Sequence, residues 1–199
     1  MGRPKDVERY EAAKEALLDV GVELMGSRSY TATGINTILE AAGIPKGSFY
    51  HYFKGKDDFG LQVIDHYHRK QMAVLRRFLE DERRPASDRL RTLLRELMRY
   101  YRGLGFTRGC LIGTLTLELA DADASFREKL AACLDAQCAV FEQWLTEAGT
   151  ETVGLGQLNP KLAARAIQHS IEGALMRMQA ERSDAALKLL EKTYCAAQR

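Results

Sequence analysis

The sequence predicts an all-α protein whose N-terminal part is a three-helix domain built around a helix-turn-helix. Apolar residues recur every three or four positions along most of the 199 residues, the period of helices with one buried face. Breakers interrupt that rhythm at Gly43, at the glycine-rich stretch 103–109 and at Asn159-Pro160. The segment Tyr30–Lys56, YTATGINTILEAAGIPKGSFYHYFKGK, reads as two short helices joined by a tight glycine-containing turn, the arrangement that places a second helix in a DNA major groove.

Composition sets the bounds. A chain of this length with 46% hydrophobic residues can bury a real core as one domain or two small ones. The net charge of +2 makes no bulk case for nucleic acid, but its distribution does better. Residues 1–56 carry eight Lys/Arg against seven Asp/Glu, with most of the acids in the first helix. From Ala41 to Lys56 there are three lysines and no acid. No run of 18 apolar residues and no apolar N-terminal core exist, so a soluble cytoplasmic protein is expected. Four cysteines without paired metal spacing fit a reducing compartment.

In chain order, Met1–Lys5 forms a basic arm in which Arg3 suits an A/T-rich minor groove, the alternative being an unordered terminus. A helix over about 6–26 carries Tyr10, Ala13, Leu17, Val20 and Leu24 on one stripe. Thr33 is expected to cap the next helix, with Ile35, Ile38, Leu39 and Ala42 inward and Gly43 as its stop. Pro45 then opens a helix to about Phe53, burying Phe49 and Phe53 and leaving Lys46, Gly47, Ser48, Tyr50, His51 and Tyr52 on the remainder. Gly47 costs about 1 kcal/mol relative to Ala inside a helix, which makes sense where backbone approaches something as large as DNA.

A long helix follows to about Glu82, its start near Lys56 suited to holding a phosphate. Ser87 caps a helix over 88–102, Cys110 opens a short apolar helix, and a longer one spans 124–148. Asn159-Pro160 starts a helix to about Arg182 with two rows. Ala163, Ile167, Ile171, Leu175 and Met178 form one, and the small residues Ala166, Ser170, Gly173 and Ala174 the other. Ser183 caps a last helix over 184–197. Two apolar rows call for two partners, so the last two helices are expected to form a homodimer's four-helix interface, the alternative being a hairpin that completes the core.

Catalysis finds little support. His66 and His68 lie some 200° apart around a helix and cannot share a metal, so no metal site and no cofactor are expected. Asp57 and Asp58 suit a helix start, and Gly103–Gly109 lacks the spacing of a nucleotide loop. Cys110 stands apart, because Arg108 and a first-turn position both favour a thiolate, although most free cysteines are small buried hydrophobes. Cys133 and Cys138, about 140° apart on one helix, suit core packing, as does Cys195. Tyr100, Tyr101, Phe106, Trp144, His169 and Arg177 are pocket candidates, although aromatic rows at helical spacing also build cores. Arg177 on an apolar face needs an acid, with Glu118 as its candidate.

The stretch GINTILEAAGIPKGSFYHYFKGKDDF resembles the helix-turn-helix of TetR-type transcriptional regulators, with its Gly-hydrophobic step, small residue pair and aromatic run ending in Phe-x-x-Lys. The resemblance implies an all-helical homodimer with a DNA-binding domain, here 1–56, and a ligand-binding and dimerisation domain, here 57–199. GFTRGCLIGTLTLEL and KGSFYHYF are similar to segments of the electrophile- and acrylate-responsive NemR and AcuR group, which implies that Cys110 is a sensing thiol. The function expected is a repressor released from a palindromic operator by a small molecule. A constitutive or activating regulator, or a helical ligand-binding or enzymatic domain, stands as the alternative. On DNA, Lys46, Gly47, Ser48 and Asn36 would meet base edges, and Thr33, Tyr50, Tyr52 and Lys56 would meet phosphates, with His51 on the same face.

Overall fold

The computed structural model describes residues 4–195. Its helices are α1 (Pro4–Arg28), α2 (Ile35–Ala42), α3 (Phe49–Tyr52), α4 (Lys56–Leu79), α5 (Ala86–Gly103), α6 (Leu111–Leu119), α7 (Ala124–Ala148), α8 (Pro160–Glu181) and α9 (Ala185–Tyr194). Among the described residues there is no strand, and no helix is long and apolar enough to cross a membrane. The all-α expectation therefore holds. Arg3 lies outside the described residues, and Pro4 and Lys5 of the expected arm already belong to α1.

The first helix buries a line one step away from the predicted stripe. Leu17, Leu18 and Met25 are buried, Val20 and Leu24 only half-buried, and Tyr10 is exposed. The cause is the crossing with α4: a Cβ on Gly21 would lie 2.5 Å from Val63 Cγ2 and 2.7 Å from Phe59 Cζ, so glycine sets the contact point. Tyr10 instead lays its ring against Tyr52, centroids 4.9 Å apart, and donates to the His51 carbonyl at 3.1 Å.

Gly43 ends α2 as predicted. At φ 64° its N–H bonds the Glu40 carbonyl and the Ile44 N–H bonds that of Leu39, the paired bonds of a Schellman turn. The start of α2 differs, because Gly34 occupies the N-cap without a side-chain bond and Thr33 turns its hydroxyl inward to the Ser29 carbonyl at 2.6 Å. The continuous helix expected from Pro45 is also divided. Lys46–Ser48 form a 3₁₀ turn closed by Ser48 N–H to the Pro45 carbonyl at 2.9 Å, and only Phe49–Tyr52 are α-helical. Extended backbone at Pro45 and the poor helix propensity of Gly47 favour the tighter turn. Phe49 and Phe53 are buried as expected, packed tilted and edge-on against Phe59 at centroid distances of 5.6 and 4.8 Å.

The fourth helix stops at Leu79 rather than Glu82, where Asp81 accepts from Arg83 and closes a turn. Pro85, not Ser87, precedes α5. Arg89 is buried there, bonded to Glu147 through both terminal nitrogens and to the Leu79 carbonyl, which ties α4, α5 and α7 together. The predicted span of α7 is met end to end, since Asp123 accepts from Ser125 and Phe126 N–H at 2.7 and 3.1 Å and Gly149 follows its last residue. Asn159 caps α8 through the Leu162 N–H at 3.0 Å, and the predicted row from Ala163 to Met178 is buried. Asp184, not Ser183, holds the cap position of α9. That helix lies along α8, where Ser170 and the Tyr194 hydroxyl are 2.8 Å apart.

Candidate functional site

Two regions gather the predicted functional residues. On the first, Tyr50 is 69% exposed, and Asn36, Gly47 and His51 are also open to solvent. Ser48 is half-buried, and Tyr52 is partly covered by Tyr10. Phe49 and Phe53 hold this surface from below. The Lys46 side chain lies outside what is described. Thr33 is fully buried with its hydroxyl engaged, so it cannot reach a phosphate as expected. Lys56 is drawn toward the turn after α1, donating to the Thr31 carbonyl at 3.2 Å with its ammonium 4.5 Å from the Tyr30 ring centre.

The second region is a cavity of about 660 Å³ between α6, α7 and α8. Apolar groups dominate its wall, among them Leu134, Leu175 and Met176, while Cys110, Gln168, His169 and Glu172 supply polar atoms. Of the predicted pocket residues, Cys110 and His169 line it. The others are elsewhere. Trp144 is core, its indole N–H donating to the Ala86 carbonyl at 2.8 Å. Arg177 is exposed and pairs with Glu181, one helical turn along α8, instead of Glu118. Phe106 sits in the α5–α6 turn at φ 58°, where its carbonyl accepts from Arg182, and Tyr100 is exposed. Tyr101 does not line the cavity but is buried close to Cys110 and Glu172.

Cys110 does not have the surroundings its sequence neighbours suggest. It precedes α6 and is buried, while Arg108 turns away to Glu23 at 2.6 Å. Burial, and then the nearby Glu172 carboxyl, push the thiol up to about 12. A preformed thiolate is therefore absent at neutral pH. Cys138, expected in the core, lines the cavity, whereas Cys133 and Cys195 are buried.

Glu118 belongs to neither region and joins them. From α6 it accepts the backbone N–H of Tyr30 at 2.9 Å and of Thr31 at 2.7 Å, at the turn between α1 and α2. Tyr30 also donates to Asp57 and packs edge-on against Phe126, over Gly60. Helix α6 thus carries cavity-lining Gly113, Thr114, Thr116 and Leu117, followed at once by the residue that holds the helix-turn-helix. The cavity's Glu172 and the amides of Gln71, Gln137 and Gln168 were not legible as a group, because they come from three helices distant in sequence. Among the described residues no three His, Cys, Asp or Glu are grouped to hold a metal.

Comparison with known proteins agrees with this architecture. Residues 86–194 match the family described as Tetracyclin repressor-like, C-terminal domain, and residues 17–63 match Bacterial regulatory proteins, tetR family. The transcriptional regulator AcuR of Cereibacter sphaeroides is 32% identical over 198 residues, covering 97% of this chain and 88% of AcuR. The crystal structure of regulatory protein TetR from Rhodobacter sphaeroides superposes with a TM-score of 0.86 at 31% identity, over 93% of this chain and 98% of that one. The reduced form of E. coli NemR gives a TM-score of 0.73 at 27% identity, over 90% and 93%. With a family match over more than half the chain and a relative alike along nearly all of it, this protein belongs to the TetR family of helix-turn-helix transcriptional regulators.

Proposed function

We propose that the protein is a cytoplasmic, dimeric repressor that grips a palindromic operator and is released when a small electrophile enters the α6–α8 cavity and reaches Cys110. The observation that carries the DNA reading is the exposed face of the 3₁₀ turn and α3, with Gly47, Tyr50 and His51 outward over a buried Phe49–Phe53 base. Residues 1–56 serve as the DNA-binding domain and 57–199 as the ligand-binding and dimerisation domain, without a cofactor. Lys46, Gly47, Ser48 and Asn36 meet base edges, Tyr50, Tyr52 and Lys56 meet phosphates, and Arg3 enters the minor groove. In the dimer the two heads sit about 34 to 36 Å apart, one turn of B-form DNA.

Exposed Leu162 on α8 and Leu189 on α9 support an interface through those helices. The path from cavity to DNA runs along α6 to Glu118, which grips the turn that introduces α2. A ligand that favours a different α6 position thereby favours a head spacing the operator rejects.

Selection of bound DNA from a random pool, followed by titration of the recovered site, tests the reading. Binding should fall steeply with salt, and Tyr50→Ala should weaken it about tenfold or more. An electrophile should release the DNA from the parent and not from Cys110→Ser. Release of both proteins alike would remove the thiol from the mechanism, and failure to recover any site would remove the operator.

A further inference from the structure

The cavity surrounds Cys110 with more than apolar wall. Three amides form a directed chain: Gln168 Nε2 donates to Gln137 Oε1 at 3.4 Å, Gln137 Nε2 to Gln71 Oε1 at 2.8 Å, and Gln71 Nε2 to Cys110 Sγ at 3.6 Å. Gln137 and Gln168 are buried, and every donor points toward the sulfur, so each bond polarises the next in a sense that favours negative charge there. On the other side lies the Glu172 carboxyl, which lines the same cavity close enough to shift the thiol. That carboxyl occupies the space over Gly113, where a Cβ would fall 2.6 Å from Oε2. The phenols of Tyr67 on α4 and Tyr101 on α5 also lie near Cys110, both pushed upward by burial and so neutral, and His169, Arg165 and Asp135 line the same cavity.

We propose that Glu172 is the base of a built nucleophilic site: its carboxylate takes the Cys110 proton as Sγ bonds to an electrophilic carbon, while Gln71 donates to the sulfur. This rests on the electrophile reading above and gives it a chemistry. For an α,β-unsaturated carbonyl compound, the sulfur pair forms the S–C bond to the β-carbon, and the π pair of the C=C bond moves toward the carbonyl oxygen as an enolate. Glu172, now protonated, returns its proton to the α-carbon. The S–H bond and one π bond are lost, one S–C and one C–H bond are made, and no oxidant or reductant is needed.

A thiol that is protonated at rest explains the need for a base. Cys138 shares the cavity but faces Arg165, Asp135 and Glu142 instead of Glu172, so it is an internal control.

The test is the rate of adduct formation by methyl vinyl ketone at each cysteine of the full-length protein, read by peptide mass spectrometry from pH 6 to 9. In the parent, Cys110 should be alkylated at a rate that levels off once Glu172 is ionised. Glu172→Gln should slow Cys110 on the order of 100-fold at pH 7, with a rate that keeps rising in proportion to hydroxide, and should leave Cys138 unchanged. Gly113→Ala, which keeps the acid but displaces it, should slow Cys110 as well and stands in should Glu172→Gln not fold.

Alkylation of Cys110 in Glu172→Gln at the parent's rate would overturn the proposal and leave the electrophile reading standing. Equal slowing of Cys110 and Cys138 would also overturn it, since ligand entry and not proton transfer would then be at fault. No adduct on Cys110 of the parent would end both readings.

Discussion

Glu118 binds two N–H groups that lie 88 and 87 residues before it in the chain, and their effect on its acidity can be measured. Burial by itself raises this carboxyl, but the bonds from Thr31 and Tyr30 outweigh it and hold the group below its usual 4.5. A depressed folded value contributes stability that is present above the unfolded pKa and is lost as the pH falls through the folded one. Glu118→Gln should therefore be less stable than the parent by about 1 to 2 kcal/mol at pH 7, with the difference closing below about pH 4 in urea titrations. A difference that persists undiminished at pH 3 would mean the carboxylate is not what holds the turn. Thr33 shows the opposite lesson, for its place before a helix suggested a cap and a phosphate contact, while its burial gives it to the Ser29 carbonyl.

Among the elements, α3 contains one turn, far below the length at which a helix is stable alone, so its shape comes from the aromatic base beneath it. Phe49→Leu should keep the fold yet loosen that turn, lowering operator affinity while leaving the melting temperature of the C-terminal helices nearly unchanged. At the α1–α4 crossing, Gly21→Val would place methyl groups against Val63 and Phe59, and calorimetry should show a loss of about 1 to 3 kcal/mol. What could be read in the sequence follows the same division. Helix α7 was legible from end to end because an Asp cap and a Gly stop are local signals. The buried line of α1 was not, because Gly21 is chosen by its distant partner Val63. The surroundings of Cys110 were not legible for the same reason: Arg108 is its neighbour in sequence, but Glu23 is the neighbour of Arg108 in space.

On the scale of the whole molecule, the outer sides of α8 and α9 leave Leu162 half exposed and Leu189 63% exposed. Lysine at both positions should convert the protein to a monomer in sedimentation and cost more than a hundredfold in operator affinity, since each head would then bind a half-site alone. An unchanged dimer would place the interface elsewhere. The Glu118 link has a last corollary. The nine-residue helix α6 lines one side of the cavity and also restrains the DNA-reading head, so on the proposed mechanism the two occupancies compete for one position of α6. On that mechanism, thermodynamic reciprocity obliges a seated operator to weaken the reversible seating of the ligand by the same factor that the reversibly seated ligand weakens the operator. Promoter-bound copies would be the last to respond, and the free pool would act as a buffer that sets the dose at which transcription begins.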